Sequence, residues 1–172
     1  FIATFTEKAA KELITRITNE LANRNITVNV NEMYIGTFHS LCLRFLKENI
    51  EYTRLRRNYR LLDDFDQKYI IFQNISRKIP QVDVLFANNG AWKQAVEICN
   101  YVNNLSEEMV SPEDLINDSD SAISCLGRIL KTYRELLTEN NLMDFSSIQI
   151  EAYQLLTENP EILKSIQAQI TH

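Results

Sequence analysis

Glycine and proline are scarce in this chain. Only three glycines and three prolines occur in its 172 residues. These two residue types form most tight turns and interrupt helices, so a chain with so few of them favours long helices over many short strands. Apolar residues also recur at helical spacing along most of the chain. The sequence therefore predicts a mainly α-helical fold.

The apolar spacing also predicts the order of the elements. A buried strand is expected at residues 1–5, followed by a helix that Thr6 caps. A second short strand is expected at residues 33–35, and Asp64 with Gln67 resembles a capping box that opens a further helix. The helix after the second strand is predicted to bury Phe38, Leu41, Cys42, Phe45 and Leu46.

The three cysteines are widely spaced, and their number is odd. Cys42 and Cys125 fall on apolar helix faces, so buried free thiols are expected rather than a metal site, for which Cys and His residues would have to be closer together. Such thiols fit a reducing, cytoplasmic setting. No apolar run approaches the ~20 residues that span a bilayer, so no membrane partner is expected.

Charge is distributed unevenly along the chain, whose formal net charge is −5. Residues 94–127 contain no lysine or arginine, whereas residues 44–60 contain six basic residues and two acidic ones. The arginines that crowd the end of this basic stretch are Arg54, Arg56, Arg57 and Arg60. They predict either a patch that tracks DNA phosphates or a solvated loop whose charges keep the protein soluble.

Two sequence features of nucleotide hydrolysis are missing. A phosphate-binding loop needs clustered glycines followed by Lys and Ser or Thr, but Gly36, Gly90 and Gly127 lie far apart. No Asp-Glu pair ends a hydrophobic strand, where magnesium is usually held. The chain is therefore not expected to bind or hydrolyse ATP alone, and no catalytic residue is assigned to it.

Two strand-to-helix junctions are the best candidates for ligand contacts. Thr4, Phe5 and Thr6 form the first junction, and the second contains Thr37 and His39. The start of a helix offers backbone N–H groups and a positive dipole end to phosphate, and an aromatic ring offers a stacking surface to a base. The alternative is that both junctions serve only helix capping and core packing.

The two junctions resemble known motifs. Residues 4–10 read Thr-Phe-Thr-Glu-Lys-Ala-Ala and residues 36–40 read Gly-Thr-Phe-His-Ser. They resemble motifs Ia and Ib of the UvrD-like helicases of superfamily 1, the group of UvrD, Rep and PcrA. Residues 61–67, 133–145 and 158–163 resemble the segments that follow in that family, up to the helix just before motif II. Glu7, Ser146 and Ser147 depart from the family's usual residues.

The resemblance implies that the chain is an internal fragment, from motif Ia to just before motif II. Residues 1–50 and 144–172 would belong to a RecA-like α/β motor domain, leaving a remnant of two or three short strands and flanking helices. Residues 51–143 would form the helical subdomain inserted in that domain. The phosphate loop would then precede Phe1, and the Asp-Glu motif would follow His172.

The resemblance also implies a function. The family couples ATP hydrolysis, with Mg²⁺, to 3′-to-5′ movement on single-stranded DNA, so the complete protein would be an ATP-dependent DNA helicase or helicase-nuclease. Phe5 would contact a base, Thr37 and His39 would contact the single strand, and Thr4 and Thr6 are weaker candidates. Single-stranded and fork DNA are the expected partners. The alternative is a non-catalytic helical protein-interaction domain whose helicase likeness is only ancestral.

Overall fold

The computed structural model of the chain describes residues 1–27, 29, 33–79, 82–86 and 90–169, with the backbone alone for residues 76–78, 83, 84 and 169. Its elements are, in chain order, β1 (Ile2–Thr4), α1 (Glu7–Asn23), β2 (Ile35–Thr37), α2 (Phe38–Glu48), a 3₁₀ turn (Ile50–Tyr52), β3 (Arg60–Leu61), α3 (Asp64–Lys78), α4 (Val82–Leu85), α5 (Ala91–Glu107), α6 (Pro112–Ile116), α7 (Ser121–Glu139), β4 (Leu142–Met143), α8 (Ser147–Glu158) and α9 (Pro160–Gln169). Helices dominate and the strands are few and short, which confirms the prediction of a mainly α-helical fold.

The chain divides into two compact units. Unit 1 comprises residues 1–52 and 152–172, and unit 2 comprises residues 53–151. The second boundary falls inside α8. Unit 1 therefore contains β1, α1, β2, α2 and α9, whereas unit 2 contains α3 to α7 together with β3 and β4.

In unit 1, β1 and β2 form a parallel pair, and Thr4 is opposite Thr37. A helix follows each strand: α2 begins at the residue after β2, and α1 begins after two intervening residues. α2 buries four of its apolar residues as predicted, namely Leu41, Cys42, Phe45 and Leu46. The prediction for Phe38 is wrong, because this first residue of α2 lies one turn before the buried stripe and is exposed.

The expectation of a buried strand at residues 1–5 is also wrong. The strand is present as β1, but Phe1 and Ile2 are exposed. β1 has one pairing partner among the described residues, and the helix that follows it buries only Ala10. A hydrophobic run predicts a strand, whereas its burial depends on what the rest of the fold packs against it.

Unit 2 has a continuous hydrophobic core. Three helices, α3, α5 and α7, supply most of it, and α6 packs along α7. Where the structure describes residues 63–140, every regular element is a helix. β3 and β4, on either side of this stretch, form a short parallel pair.

The helix starts were predicted with one error. α3 is capped by Asp63, whose Oδ1 accepts a hydrogen bond from the Asp66 N–H at 2.7 Å, and not by Asp64. Either aspartate satisfies the capping pattern, and the backbone turns helical one residue earlier than the pattern suggested. Thr6 caps α1 as expected, and Pro160 starts α9.

Candidate nucleic-acid interface

The two candidate junctions lie side by side. β1 and β2 run parallel with Thr4 opposite Thr37, so both strands end at the same edge of the pair. α1 and α2 begin directly beyond that edge. Two helix N-termini thus meet at the carboxyl ends of two parallel strands, where ligands of α/β sheets collect. The sequence predicted each junction, and the strand register brings them together.

The threonines hold the backbone of this edge. Thr6 caps α1 by accepting a hydrogen bond from the Ala9 N–H at 3.2 Å. Thr37 caps α2 in the same way through the Ser40 N–H at 3.1 Å, and its hydroxyl also donates to Glu7 Oε1 at 3.4 Å. These hydroxyls are engaged within the protein, so they act first by fixing the positions of the two helix starts.

Thr4 contributes to the same arrangement. Its hydroxyl lies 3.1 Å from the carbonyl oxygen of Thr6 and 3.4 Å from that of Gly36. Since a hydroxyl has one proton to donate, it serves these two acceptors as alternatives. Thr4 therefore fastens the turn between β1 and α1.

Packing does not explain the position of the Phe5 side chain at this edge. It is 100% exposed, so the interpretation of Phe5 as a core residue is wrong. Phe5 lies between Thr4 and Thr6, whose hydrogen bonds fix the backbone on both sides of it. A ring presented in this way is available for stacking. His39, in the first turn of α2, is half-buried.

The arginine stretch separates into buried and exposed members. Arg54 Nε lies 2.5 Å from Glu151 Oε1, and its guanidinium donates to the Leu142 carbonyl oxygen at 3.3 Å. The Arg54 and Glu151 side chains are only 25% and 9% exposed. Arg54 is therefore engaged within unit 2, and its contact with phosphate stays a prediction.

The other arginines remain accessible. Arg56 and Arg57 are exposed, and Arg60 lies 3.6 Å from Asp66 at the surface. The Arg56 N–H donates to Asn141 Oδ1 at 2.8 Å, which anchors the backbone while the side chain stays in solvent. Nothing in the sequence pattern indicated this role of Asn141.

A buried polar network in unit 2 was not predicted either. The Tyr133 hydroxyl donates to Asp144 Oδ2, and Gln67 Nε2 lies 3.1 Å from the same oxygen. Burial raises the pKa of Tyr133 well above its ordinary value, and the Asp144 carboxylate raises it further. Asp144 Oδ1 accepts from the Ser147 N–H at 2.7 Å, so the network also fixes the start of α8. The only indication of this network in the sequence was that polar residues occupy buried positions of predicted helices.

The cysteines are buried and unbridged, as the apolar faces predicted for Cys42 and Cys125. Burial raises the pKa of Cys99 to about 11. Within the described parts of the chain, no group of three or more His, Cys, Asp or Glu side chains is arranged to hold a metal ion. None of the described helices is long and apolar enough to cross a membrane.

Comparison with known proteins places these features in a family. The family model of the UvrD/REP helicase N-terminal domain matches residues 1–172. DNA helicase II of Haemophilus influenzae is 30% identical to this chain, covering 98% of it and 22% of the relative. The ATP-dependent DNA helicase PcrA of Staphylococcus epidermidis is 29% identical, covering 95% of this chain and 21% of the relative.

A third relative extends the comparison. The probable DNA helicase II homolog of Mycoplasma capricolum is 29% identical, over 93% of this chain and 21% of the relative. The chain thus spans about a fifth of the length of these curated relatives. Since the family model covers every residue, the chain belongs to the UvrD/REP helicase N-terminal domain family.

Proposed function

We propose that this chain is the DNA-contacting middle of the motor of an ATP-dependent DNA helicase, or helicase-nuclease, that moves 3′ to 5′ on single-stranded DNA. The relatives that carry helicase names share this segment with it. The observation that supports the proposal best is the edge at which Phe5 is fully exposed between two helix N-termini. The single strand lies along this edge, with Phe5 against a base and with Thr37 and His39 beside the backbone.

The two units correspond to two parts of the proposed motor. Unit 1 is a piece of the RecA-like domain, because parallel strands that each lead into a helix are its building block. Unit 2, at residues 53–151, is the inserted helical subdomain. The chain leaves unit 1 near residue 52 and returns within α8, as an insertion in one domain requires.

The residues of this chain do not supply the phosphate loop and the carboxylates that would bind the nucleotide of the proposed motor. The three glycines are separated by more than thirty residues each, so none of them builds a phosphate loop. The described residues contain no carboxylate cluster suited to Mg²⁺. ATP and Mg²⁺ are therefore held by parts of the complete protein other than this chain, and the role of this chain is to contact DNA.

Replacing Phe5 tests the proposed strand contact. In the complete protein, Phe5→Ala should weaken binding of an oligothymidine strand by about 1–3 kcal/mol, because a stacked aromatic ring contributes that much per base. Thermal unfolding should change by less than about 0.5 kcal/mol, because the ring is exposed. Fluorescence anisotropy and thermal melting on the same variant give both quantities.

Tyr153 supplies the matched control for Phe5. It is an exposed aromatic residue on α8 and belongs to neither strand-to-helix junction. Tyr153→Ala should leave strand binding unchanged. Equal affinity of the Phe5→Ala variant and the unmodified protein for the oligonucleotide would rule out the proposed contact and would favour the non-catalytic interaction domain.

The exposed arginines supply a second test. We propose that Arg56 and Arg57 contact the phosphates of a forked DNA, with Arg60 as a weaker candidate because of Asp66. Each phosphate contact that is lost should reduce the log-log salt slope of binding by ~0.7–0.9. Arg56→Glu combined with Arg57→Glu should therefore flatten the salt dependence and lower affinity equally for unrelated sequences. An unchanged slope would leave these arginines as solvated surface.

A further inference from the structure

Unit 2 contains a groove whose chemistry is opposite to that of a DNA-binding surface. The groove encloses about 540 Å³ between α3, α5 and the segment that precedes α8. Its lining includes the carboxylates of Asp63, Asp64 and Glu107 and the exposed side chains of Leu61 and Phe145. Such a surface repels phosphate, so its partner is of another kind.

Two of the carboxylates, those of Asp63 and Glu107, form no ion pair with any residue that the structure describes. Asp64 lies 2.5 Å from Lys68 Nζ and is therefore paired. Among the residues that the structure describes, the only hydrogen bonds of the other two carboxylates come from uncharged donors. Asp63 accepts from the Asp66 N–H, and Glu107 accepts from the Ser146 hydroxyl at 3.2 Å. In the described part of the chain, the groove thus offers two carboxylates that form no ion pair.

A buried amide in the lining adds acceptor capacity. Gln67 is 6% exposed and lines the groove. Its Nε2 group contacts Asn103, Tyr133 and Asp144, whereas its Oε1 receives one long hydrogen bond of 3.4 Å, from Asn103. A carbonyl oxygen has two lone pairs, so Oε1 can accept another donor. A group with several donors and a positive charge satisfies this lining best.

An aromatic cluster begins on α3, the helix that also carries Asp64 and Gln67 of the groove lining. Phe65 follows Asp64 in α3, and its ring centroid lies 6.1 Å from that of Tyr69 and 5.7 Å from that of Trp92. All three rings are exposed. Clustered exposed aromatic residues are typical of protein–protein interfaces, where Tyr and Trp often contribute most of the binding free energy.

We propose that this groove and the aromatic cluster form a docking site for a protein segment that inserts an arginine side chain between Asp63 and Glu107 and lays neighbouring apolar residues on Phe65, Tyr69 and Trp92. Arginine fits better than lysine, because its planar guanidinium has five donors for carboxylate and amide oxygens. The carboxylates favour a segment that carries a basic residue, and the exposed rings favour apolar residues next to it in the same segment.

A nine-residue fluorescein-labelled peptide tests the proposal with the full 172-residue chain. The peptide has one central arginine flanked by leucines in a Ser/Gly background, and a second peptide has citrulline in place of the arginine. Saturable binding of the arginine peptide is expected, with the citrulline peptide about tenfold weaker or more, since hydrogen bonds between charged groups are the stronger ones. Absence of saturation up to millimolar peptide overturns the proposal.

Charge-removing variants locate the site. Asp63→Asn and Glu107→Gln keep the shape and the hydrogen-bond acceptors of both side chains, so α3 remains capped. Together they should weaken the arginine peptide about tenfold or more. Glu108→Gln, at an exposed neighbouring position outside the groove, should change affinity less than twofold. Equal loss in the control, or no loss in the double variant, overturns the proposal.

Other occupants give distinct results. If a second copy of the chain occupied the groove, sedimentation would show a dimer of the unmodified chain and a monomer of the double variant. Binding of an oligothymidine strand should be unchanged or stronger in the double variant, because two negative charges have been removed. Loss of a dimer in the double variant would assign the groove to a second copy of the chain. Weaker DNA binding by the double variant would assign it to DNA. Either result would overturn the proposal.

Discussion

Unit 2 packs α3, α5 and α7 around one buried core, whereas unit 1 leaves much of its apolar surface exposed. α1 is seventeen residues long and buries only Ala10. Residue type therefore does not by itself predict which side chains are exposed in the two units. The aromatic Phe5 of unit 1 is exposed at a helix start, and the charged Arg54 of unit 2 is held inside. The difference shows that burial, more than residue type, separates candidate contacts from structural residues.

The largest effect is expected from Arg54 in unit 2. Arg54→Ala should lower the free energy of unfolding of unit 2 by about 3–5 kcal/mol. The reason is that the mostly buried Glu151 carboxylate would keep its charge but lose the Arg54 guanidinium that balances it. Urea unfolding followed by the fluorescence of Trp92, the single tryptophan, reports on this unit. Arg56→Ala is the matched control and should cost less than about 0.5 kcal/mol. Similar losses in both variants would remove the distinction between buried and exposed arginines.

Gly127 tests how tightly unit 2 is packed. Alanine normally stabilises a helix interior relative to glycine by roughly 1 kcal/mol. A Cβ at position 127, however, would lie 2.6 Å from the Ile116 backbone nitrogen and 2.8 Å from Leu115 Cβ. Gly127→Ala should therefore destabilise unit 2 by about 1–3 kcal/mol in the same urea experiment. Gly90→Ala, whose Cβ meets nothing within 4 Å, causes no clash and should cost less than about 1 kcal/mol, through the poorer N-cap of α5. A stabilised Gly127→Ala variant would show that α6 does not pack closely on α7.

Thiol labelling compares the opening of the two units directly. Burial raises the pKa of Cys42 in unit 1, and that of Cys99 in unit 2 to about 11, so little thiolate exists at either site near pH 8 while the units are closed. Alkylation then requires local opening. Unit 1 has the smaller core, so Cys42 should react with iodoacetamide about tenfold faster than Cys99 or more. Mass spectrometry of the two cysteine peptides gives both rates. Equal rates would mean that the units open together.

The sequence predicted most of the fold because helix formation follows local spacing. The apolar stripe of α2 was identified except at Phe38, and α3 was placed to within one residue. The burial of β1 was not predictable, since a hydrophobic run does not show what covers it. Errors therefore occurred where the outcome depends on residues distant in the chain.

The candidate site divides in the same way. The sequence indicated both strand-to-helix junctions, and the parallel register then placed Thr4 opposite Thr37. It did not distinguish Arg54 from Arg56, because the partner of Arg54 is Glu151, 97 residues away. The network around Asp144 was missed for the same reason, since its members come from α3, α5 and α7.

The smallest expected effect concerns how one helix in each unit ends. α1 and α5 both end in a Schellman motif, in which Ile26 N–H donates to Leu21 and Val110 N–H donates to Leu105, each at 2.9 Å. The left-handed position is Asn25 in α1 and Met109 in α5, both with φ of 54°. Asparagine tolerates this conformation, whereas a methionine side chain is strained by roughly 1–2 kcal/mol. Glycine removes that strain but loses more backbone entropy on folding, by about 0.5–1 kcal/mol.

Met109→Gly should therefore stabilise unit 2 by about 0.5–1 kcal/mol in the urea experiment, although unit 2 is the better packed unit. Asn25→Gly should leave the labelling rate of Cys42 nearly unchanged. Glu108→Gly, at φ of −80°, relieves no strain and should destabilise unit 2. A destabilised Met109→Gly variant would show that side-chain contacts of Met109 outweigh its backbone strain.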